Sequence, residues 1–252
     1  MTLAEVMTVE IPVRPGYVPT RVPKPPVVRI PPLENGDRLT RREFERRYAA
    51  MPHIKRAELI EGVVYVPSPV HLSHGKAHGQ AIVWLGTYCA ATPAVELGDN
   101  TTIRLDLDNE FQPDVLLRID PTVGGRSRIS ADDYVEGAPE LIMEIASSSS
   151  SYDLHDKLKV YRRNRVQEYV VWQVYDRRVD WFVLSEDEYV SLPADASGVI
   201  HSQVFPGLRL AVEALLNGDL ASVLAELQKG LETPEHAAFI QRLGGEPSAR
   251  QG

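Results

Sequence analysis

A single cysteine, Cys89, in a chain of 252 residues excludes an intramolecular disulfide and a cysteine-built zinc site. Long apolar stretches are missing as well. No window approaches the roughly 20 uninterrupted apolar residues of a membrane helix, which excludes a membrane-spanning reading and a membrane partner. Neither common glycine-rich phosphate loop occurs, so nucleotide-cofactor enzymes fall away, and the serine run Ser147 to Ser151 lacks the pattern of a nucleophile elbow. Positive charge is in deficit: 27 Lys+Arg against 35 Asp+Glu give a formal net charge of −8. That is the wrong sign for holding nucleic acid by blanket neutralisation of phosphates, so any such contact has to be local. Met1 to Pro15 lacks the basic-then-apolar order of a signal peptide, and the expected compartment is the cytoplasm.

What is present is an ordinary globular composition, 43% hydrophobic and 25% charged, with enough apolar residues for a sizeable core. Prolines crowd residues 1–37 and forbid helix or central strand there, which predicts an extended arm, free or laid on a neighbouring subunit. Thr40-Arg41-Arg42-Glu43 reads as a capping box opening a helix that ends near Met51 and Pro52, with Leu39 stapled against Phe44. Ala57 to Val66 reads as a hairpin around a Glu61-Gly62 turn, and Leu72 to Ala91 as a longer helix with one apolar face. Strands are expected over Val95 to Leu105, Asp114 to Ile119 and Leu141 to Ala146, the last two buried on both faces. A helix over Asp153 to Asn164 and strands over Glu168 to Val174, Val179 to Leu184 and Tyr189 to Leu192 follow. The C-terminal part is expected to be helical from Val212 onward, giving an arm (1–37), a main domain (38–210) and a helical extension (211–252) in an α/β chain of mixed element order.

Chemistry is signalled by charges where apolar residues belong. Asp114 opens an apolar strand, and Glu144 interrupts Leu141-Ile142-Met143-Glu144-Ile145-Ala146. A carboxylate in such a run is paired, protonated or bound to a metal. Two carboxylates converging from neighbouring strands suit Mg²⁺ or Mn²⁺, and Lys157, one turn beyond Asp153 on the next helix, can complete the set. The alternative is purely structural: Asp114 caps a turn, Glu144 and Lys157 form a buried ion pair, and nothing is catalysed.

Taken in order, Ala57-Glu58-Leu59-Ile60-Glu61-Gly62, Ser68-Pro69 with His74, Gln112-Pro113-Asp114-Val115, Glu144-Ile145-Ala146-Ser147, Asp153-Leu154-His155-Asp156-Lys157-Leu158 with Tyr161, and Val166-Gln167-Glu168-Tyr169 form a pattern that resembles the Uma2 family. These are restriction-endonuclease-like proteins of the PD-(D/E)XK nuclease superfamily. The resemblance runs from about Leu39 to Gly207. It implies a mixed central sheet flanked by helices, followed here by C-terminal helices, and a divalent-metal-dependent endonuclease acting on DNA phosphodiesters. Carried over by position, Asp114, Glu144 and Glu58 would be the metal carboxylates and Lys157 the catalytic lysine, while Gln112 and His74 would support the site or contact substrate. Three departures stand out: Ala146 where the superfamily usually has its lysine, the serine run in place of a Ser-Pro-Ser-Thr turn, and Val170-Val171-Trp172-Gln173 in place of a Tyr-Trp start. A catalytically weak nucleic-acid-binding or regulatory module of the same fold is the alternative. The sequence does not separate DNA from RNA. A homodimer, through the arm as one route, is expected by analogy, since two strand cuts need two sites.

Other features carry less. His71, His74 and His78 share a helical face, as zinc ligands would, yet nothing nearby completes a four-ligand set. Cys89 reads as a small buried side chain, and Trp84, Trp172 and Trp181 as core or hairpin packing, base stacking being the alternative.

Overall fold

The computed structural model describes residues 30–67, 70–146 and 153–244. Most of the expected arm, with its exchange onto a partner, lies outside the described residues, as do Ser68-Pro69, the serine run and the tail after Gly244. Among the described residues no helix is long and apolar enough to cross a membrane.

Helix α1 (Arg41–Ala49) starts where Thr40 Oγ1 accepts from the Glu43 amide at 3.4 Å. Glu43 turns to the guanidinium groups of Arg46 and Arg47, 2.7 Å from each, because charge-assisted bonds outcompete the return bond of a capping box. Strands β1 (Glu58–Ile60) and β2 (Val63–Tyr65) form the expected hairpin. Its turn residues Glu61 and Gly62 both have positive φ (49° and 74°), the geometry whose twist matches that of paired strands. Leu33 packs with Phe44, Ala57, Leu59 and Val64 beneath this hairpin, and the Gly36 amide donates to Val64 O at 2.8 Å.

Helix α2 (Leu72–Ala91) precedes the strands β3 (Val95–Asp99), β4 (Ile103–Asp106), β5 (Asn109–Phe111) and β6 (Val115–Ile119). The single strand expected over Val95 to Leu105 is thus two strands in different sheets. Asn100, at φ 48°, breaks the extended path, and its amide binds Asp114 O at 3.2 Å. Two very short strands, β7 (Arg128–Ile129) and β8 (Val135–Glu136), lead to β9 (Leu141–Ala146). The helix expected from Asp153 opens as a π-type turn (Asp153–Lys157) and becomes α3 (Leu158–Arg163). Strands β10 (Glu168–Gln173), β11 (Arg178–Ser185), β12 (Glu188–Ser191), β13 (Val199–His201) and β14 (Arg209–Ala211) follow, then α4 (Val212–Leu216), α5 (Leu220–Leu231) and α6 (Pro234–Gly244).

One six-stranded sheet runs β12-β11-β10-β9-β6-β3, mixed because β9 and β10 are parallel while the other pairs are antiparallel. A second has the order β2-β1-β5-β4-β8-β7, and β13 pairs only with β14. The result is the expected mixed α/β architecture of sheets flanked by helices. Strand alternation sorts the core. Val115, Leu117, Leu141, Met143, Ile145, Val170 and Trp172 face α2 and the C-terminal helices, together with Trp84, Tyr88, Leu227 and Phe239. Leu116, Ile142, Ala146, Tyr169 and Val171 face the other way, against Phe111, Val160 and Tyr161. Parity then places Asp114 and Glu144 on this second face.

Helix α1 sits over a second acidic contact. Glu110 of β5 is buried, and Arg104 Nε lies 3.5 Å from its Oε2 and 2.9 Å from Glu45 Oε1, without hydrogen-bond alignment to either. Burial, then the adjoining Glu45, pushes the Glu110 carboxyl up to about 8. A folded-state value above the ordinary 4.5 means stability fully present below that pH and lost as pH rises through about 8. Glu110→Gln should therefore gain on the parent protein across that window, by at most about 1.4 kcal/mol per pH unit. Urea unfolding at several pH values measures the difference, and a gap that does not grow with pH would refute the raised, burial-driven titration of Glu110.

Candidate active site

One link between the two sheets is Gln112-Pro113, joining β5 to β6. Proline holds the preceding residue extended, which turns both backbone groups of Gln112 outward. Its amide donates to Glu58 Oε1 at 3.0 Å and its carbonyl accepts from Arg56 Nη2. Its side chain is spent elsewhere, donating to Thr102 Oγ1 at 2.9 Å. Gln112 therefore supports the site through its backbone.

Asp114 is fixed by the sheet itself. β6 pairs with β9 from Val115 onward, and Asp114 Oδ2 accepts from the Ile145 amide at 2.7 Å, one step beyond the ladder. The carboxylate thereby lies beside Glu144. Burial opposes its ionisation; the His74 bond and the Arg56 charge outweigh burial and hold the group well below the usual carboxylate range.

Lys157 closes the set. Its ammonium lies 2.9 Å from Glu144 Oε1 and 3.1 Å from Glu58 Oε2, with only 5% of its side chain exposed. Tyr161, one turn further on, donates to the same Glu144 oxygen at 2.9 Å. Burial, reinforced by Glu144, raises the Tyr161 phenol well above its ordinary value, so it stays a donor. For Glu58, burial again disfavours the charge, but Lys157 and then Arg56 leave the net shift downward. Lys157 thus reaches the carboxylates from the π-type turn, while Ala146, at the end of β9, is buried in the core.

Arg56 is the residue that sequence reading missed. It bridges Asp114 Oδ1 at 3.1 Å and Glu58 Oε1 at 3.5 Å. The available signal was its position two residues before Glu58 on an extended stretch, hence on the same side of the chain.

Of the three histidines, His71 stands at the N-cap of α2 with no side-chain capping bond. His74 Nε2 lies 3.5 Å from Asp114 Oδ1. His78 Nε2 lies 3.0 Å from the Asp114 carbonyl and 3.1 Å from Asp99 Oδ1. His74 and His78, stacked with ring centroids 6.2 Å apart, therefore both serve Asp114 from α2, while His71 does not join them. The tryptophans are buried, Trp84 and Trp181 edge to face at 6.0 Å, which removes them as base-stacking platforms. Cys89 is half-buried and burial pushes its thiol up to about 12, as expected of a packing residue.

Among the described groups, three buried carboxylates face the two cations Arg56 and Lys157. In donor type the set fits a hard dication. In spacing, among the described residues no three acidic, histidine or cysteine groups are disposed as a metal-ligand set.

Residues 41–213, more than half of the chain, match the model of the Uma2 family, described as "Putative restriction endonuclease". A solved structure from Anabaena variabilis ATCC 29413, described as a putative nuclease belonging to DUF820, resembles the chain with a TM-score of 0.55 and 13% identity, over 69% of this chain and 97% of that one. At that identity the likeness speaks for the fold alone. No curated protein matches the chain. The extent of the family match, the fold and the order of the motifs agree, and the chain belongs to the Uma2 family.

Proposed function

We propose that the protein is a metal-dependent endonuclease that hydrolyses DNA phosphodiester bonds, with Asp114, Glu144 and Glu58 as the metal carboxylates and Lys157 as the catalytic lysine. The observation that carries the reading is the gathering of these three buried acids, from three different strands or strand ends, about two cations: Lys157 between Glu144 and Glu58, and Arg56 between Glu58 and Asp114. The family description and the donor chemistry support it. Asp114 and Glu144, with Glu58, would hold Mg²⁺ or Mn²⁺; when bound, such an ion polarises a phosphoryl oxygen and acidifies water.

The chain's own residues set the rest. The Ile145 amide and Tyr161 fix one oxygen each of Asp114 and Glu144, so neither acid has to reorganise as charge develops. Lys157 carries a positive charge in a site nearly shut off from water, where it stabilises an incoming anion more than a surface lysine would. His74, at the Asp114 edge with 15% of its side chain exposed, is placed to donate to a phosphate oxygen.

The direct test is plasmid nicking by the full chain with Mg²⁺, Mn²⁺ or EDTA, run beside single-stranded DNA and RNA. Asp114→Asn and Glu144→Gln are expected to lower metal-dependent cleavage at least about a hundredfold while retaining the circular dichroism of the parent. Undiminished cleavage by both folded variants removes the assignment, and preferential cleavage of RNA replaces the substrate. Lys157→Met removes the ammonium held between Glu144 and Glu58, and should cost about 3–5 kcal/mol of stability. Adding Glu144→Gln to that variant should recover much of the loss, as a double-mutant cycle by urea unfolding would show. A single variant that unfolds like the parent would mean the lysine is not the buried counter-charge.

A further inference from the structure

Five charged groups meet at the site, and they are unequally held. Side-chain exposure is 2% for Glu144, 4% for Asp114, 5% for Lys157 and 9% for Glu58, but 24% for Arg56. Lys157 is seated on a turn of the main chain and makes close contacts to both glutamates. Arg56 reaches in on a long side chain from the segment before β1, and its fit is poorer. Its contact with Glu58 is at 3.5 Å, and its buried Nε has no hydrogen-bond partner. A guanidinium has five donors in a fixed fork, and leaving one buried and unpaired costs free energy that a better-matched group would not incur. The remaining contacts, Asp114 Oδ1 at 3.1 Å, Asn100 Oδ1 at 3.3 Å and the Gln112 carbonyl, are to oxygens only. Arg56 thus occupies an all-oxygen surround shared by two of the three acids, the kind of environment that suits a hard cation.

We propose that Arg56 is the exchangeable cation of the site. It neutralises Asp114 and Glu58 in the metal-free protein, gives way when a divalent ion binds, and so sets the protein's divalent affinity. This rests on the metal-centre reading above and adds a competitor to it. Two effects of opposite sign are expected when the arginine is removed. The metal-free protein loses a counter-charge and becomes less stable, whereas the divalent ion loses its rival and binds more tightly.

The test is Mn²⁺ binding to the full-length chain, by titration calorimetry and by loss of the free Mn²⁺ paramagnetic resonance signal, for the parent, Arg56→Gln, Arg56→Lys and Asp114→Asn. Thermal melts with and without Mn²⁺ accompany each. Arg56→Gln should bind Mn²⁺ at least about tenfold more tightly than the parent. It should melt lower without metal and gain more from added Mn²⁺ than the parent does. Arg56→Lys, which keeps the charge and is expected to fold where the glutamine variant fails, should bind more weakly than Arg56→Gln, or close to the parent. If the parent binds Mn²⁺ and both arginine variants bind it equally or less well, Arg56 is a structural brace and the proposal is overturned. If neither the parent nor any variant binds Mn²⁺, the metal-centre reading fails and this one fails with it.

Discussion

The buried ammonium of Lys157 is the constraint on which the site depends. Glu144 comes from the middle of the mixed sheet and Glu58 from the first strand of the other, and each would be costly to bury alone. One cation held between them makes both tolerable and, in doing so, fixes the distance between the two sheets at that point. A pair of apolar side chains would bridge the gap at less electrostatic cost. The retention of ionic groups there, with Tyr161 adding a donor to Glu144, is a sign that this position is arranged for charge rather than for stability alone.

The same junction explains why the acids converge. Gln112-Pro113 carries the chain from β5 to β6 and delivers Asp114 to the end of the β6–β9 ladder, where a side-chain oxygen takes over the role of a strand carbonyl. Strand alternation puts Glu144 on the face shared with Ile142 and Ala146, toward Phe111 and Tyr161. Lys157 arrives from the opposite side on the π-type turn, an irregularity that recurs where a helix must present a functional side chain.

This geometry was unevenly legible in the sequence. Asp114 and Glu144 stood out because a charge within an apolar strand contradicts its surroundings, and Lys157 because it follows them at the right distance for a helix. Glu58 carried no such mark: it sits in a short, mixed hairpin, and only the family pattern singled it out. Arg56 was passed over because its two-residue spacing from Glu58 has meaning only once Glu58 is known to face inward. The split of the Val95 to Leu105 stretch hinges on a single left-handed residue, Asn100, with strand-prone residues on both sides, and local propensity does not register such a break. Strands of two or three residues, such as β7 and β8, are too short to show a period.

Charge distribution adds a final step. Clustered arginines are largely spent on neighbouring carboxylates: Arg46 and Arg47 on Glu43, Arg162 on Glu188, Arg163 on Glu61 and Asp106, and Arg165 on Asp187. Surface pairs of this kind add little stability, but each one lowers the field that would draw a polyanion toward the protein. Among the described groups of the site, three carboxylates face two permanent cations, so the pull on a phosphate is weak there as well. On the proposed reading, the divalent ion would add to Lys157 the positive charge that favours admission of a phosphodiester. Buried acid is then no obstacle to a nuclease but the means by which metal strengthens substrate binding.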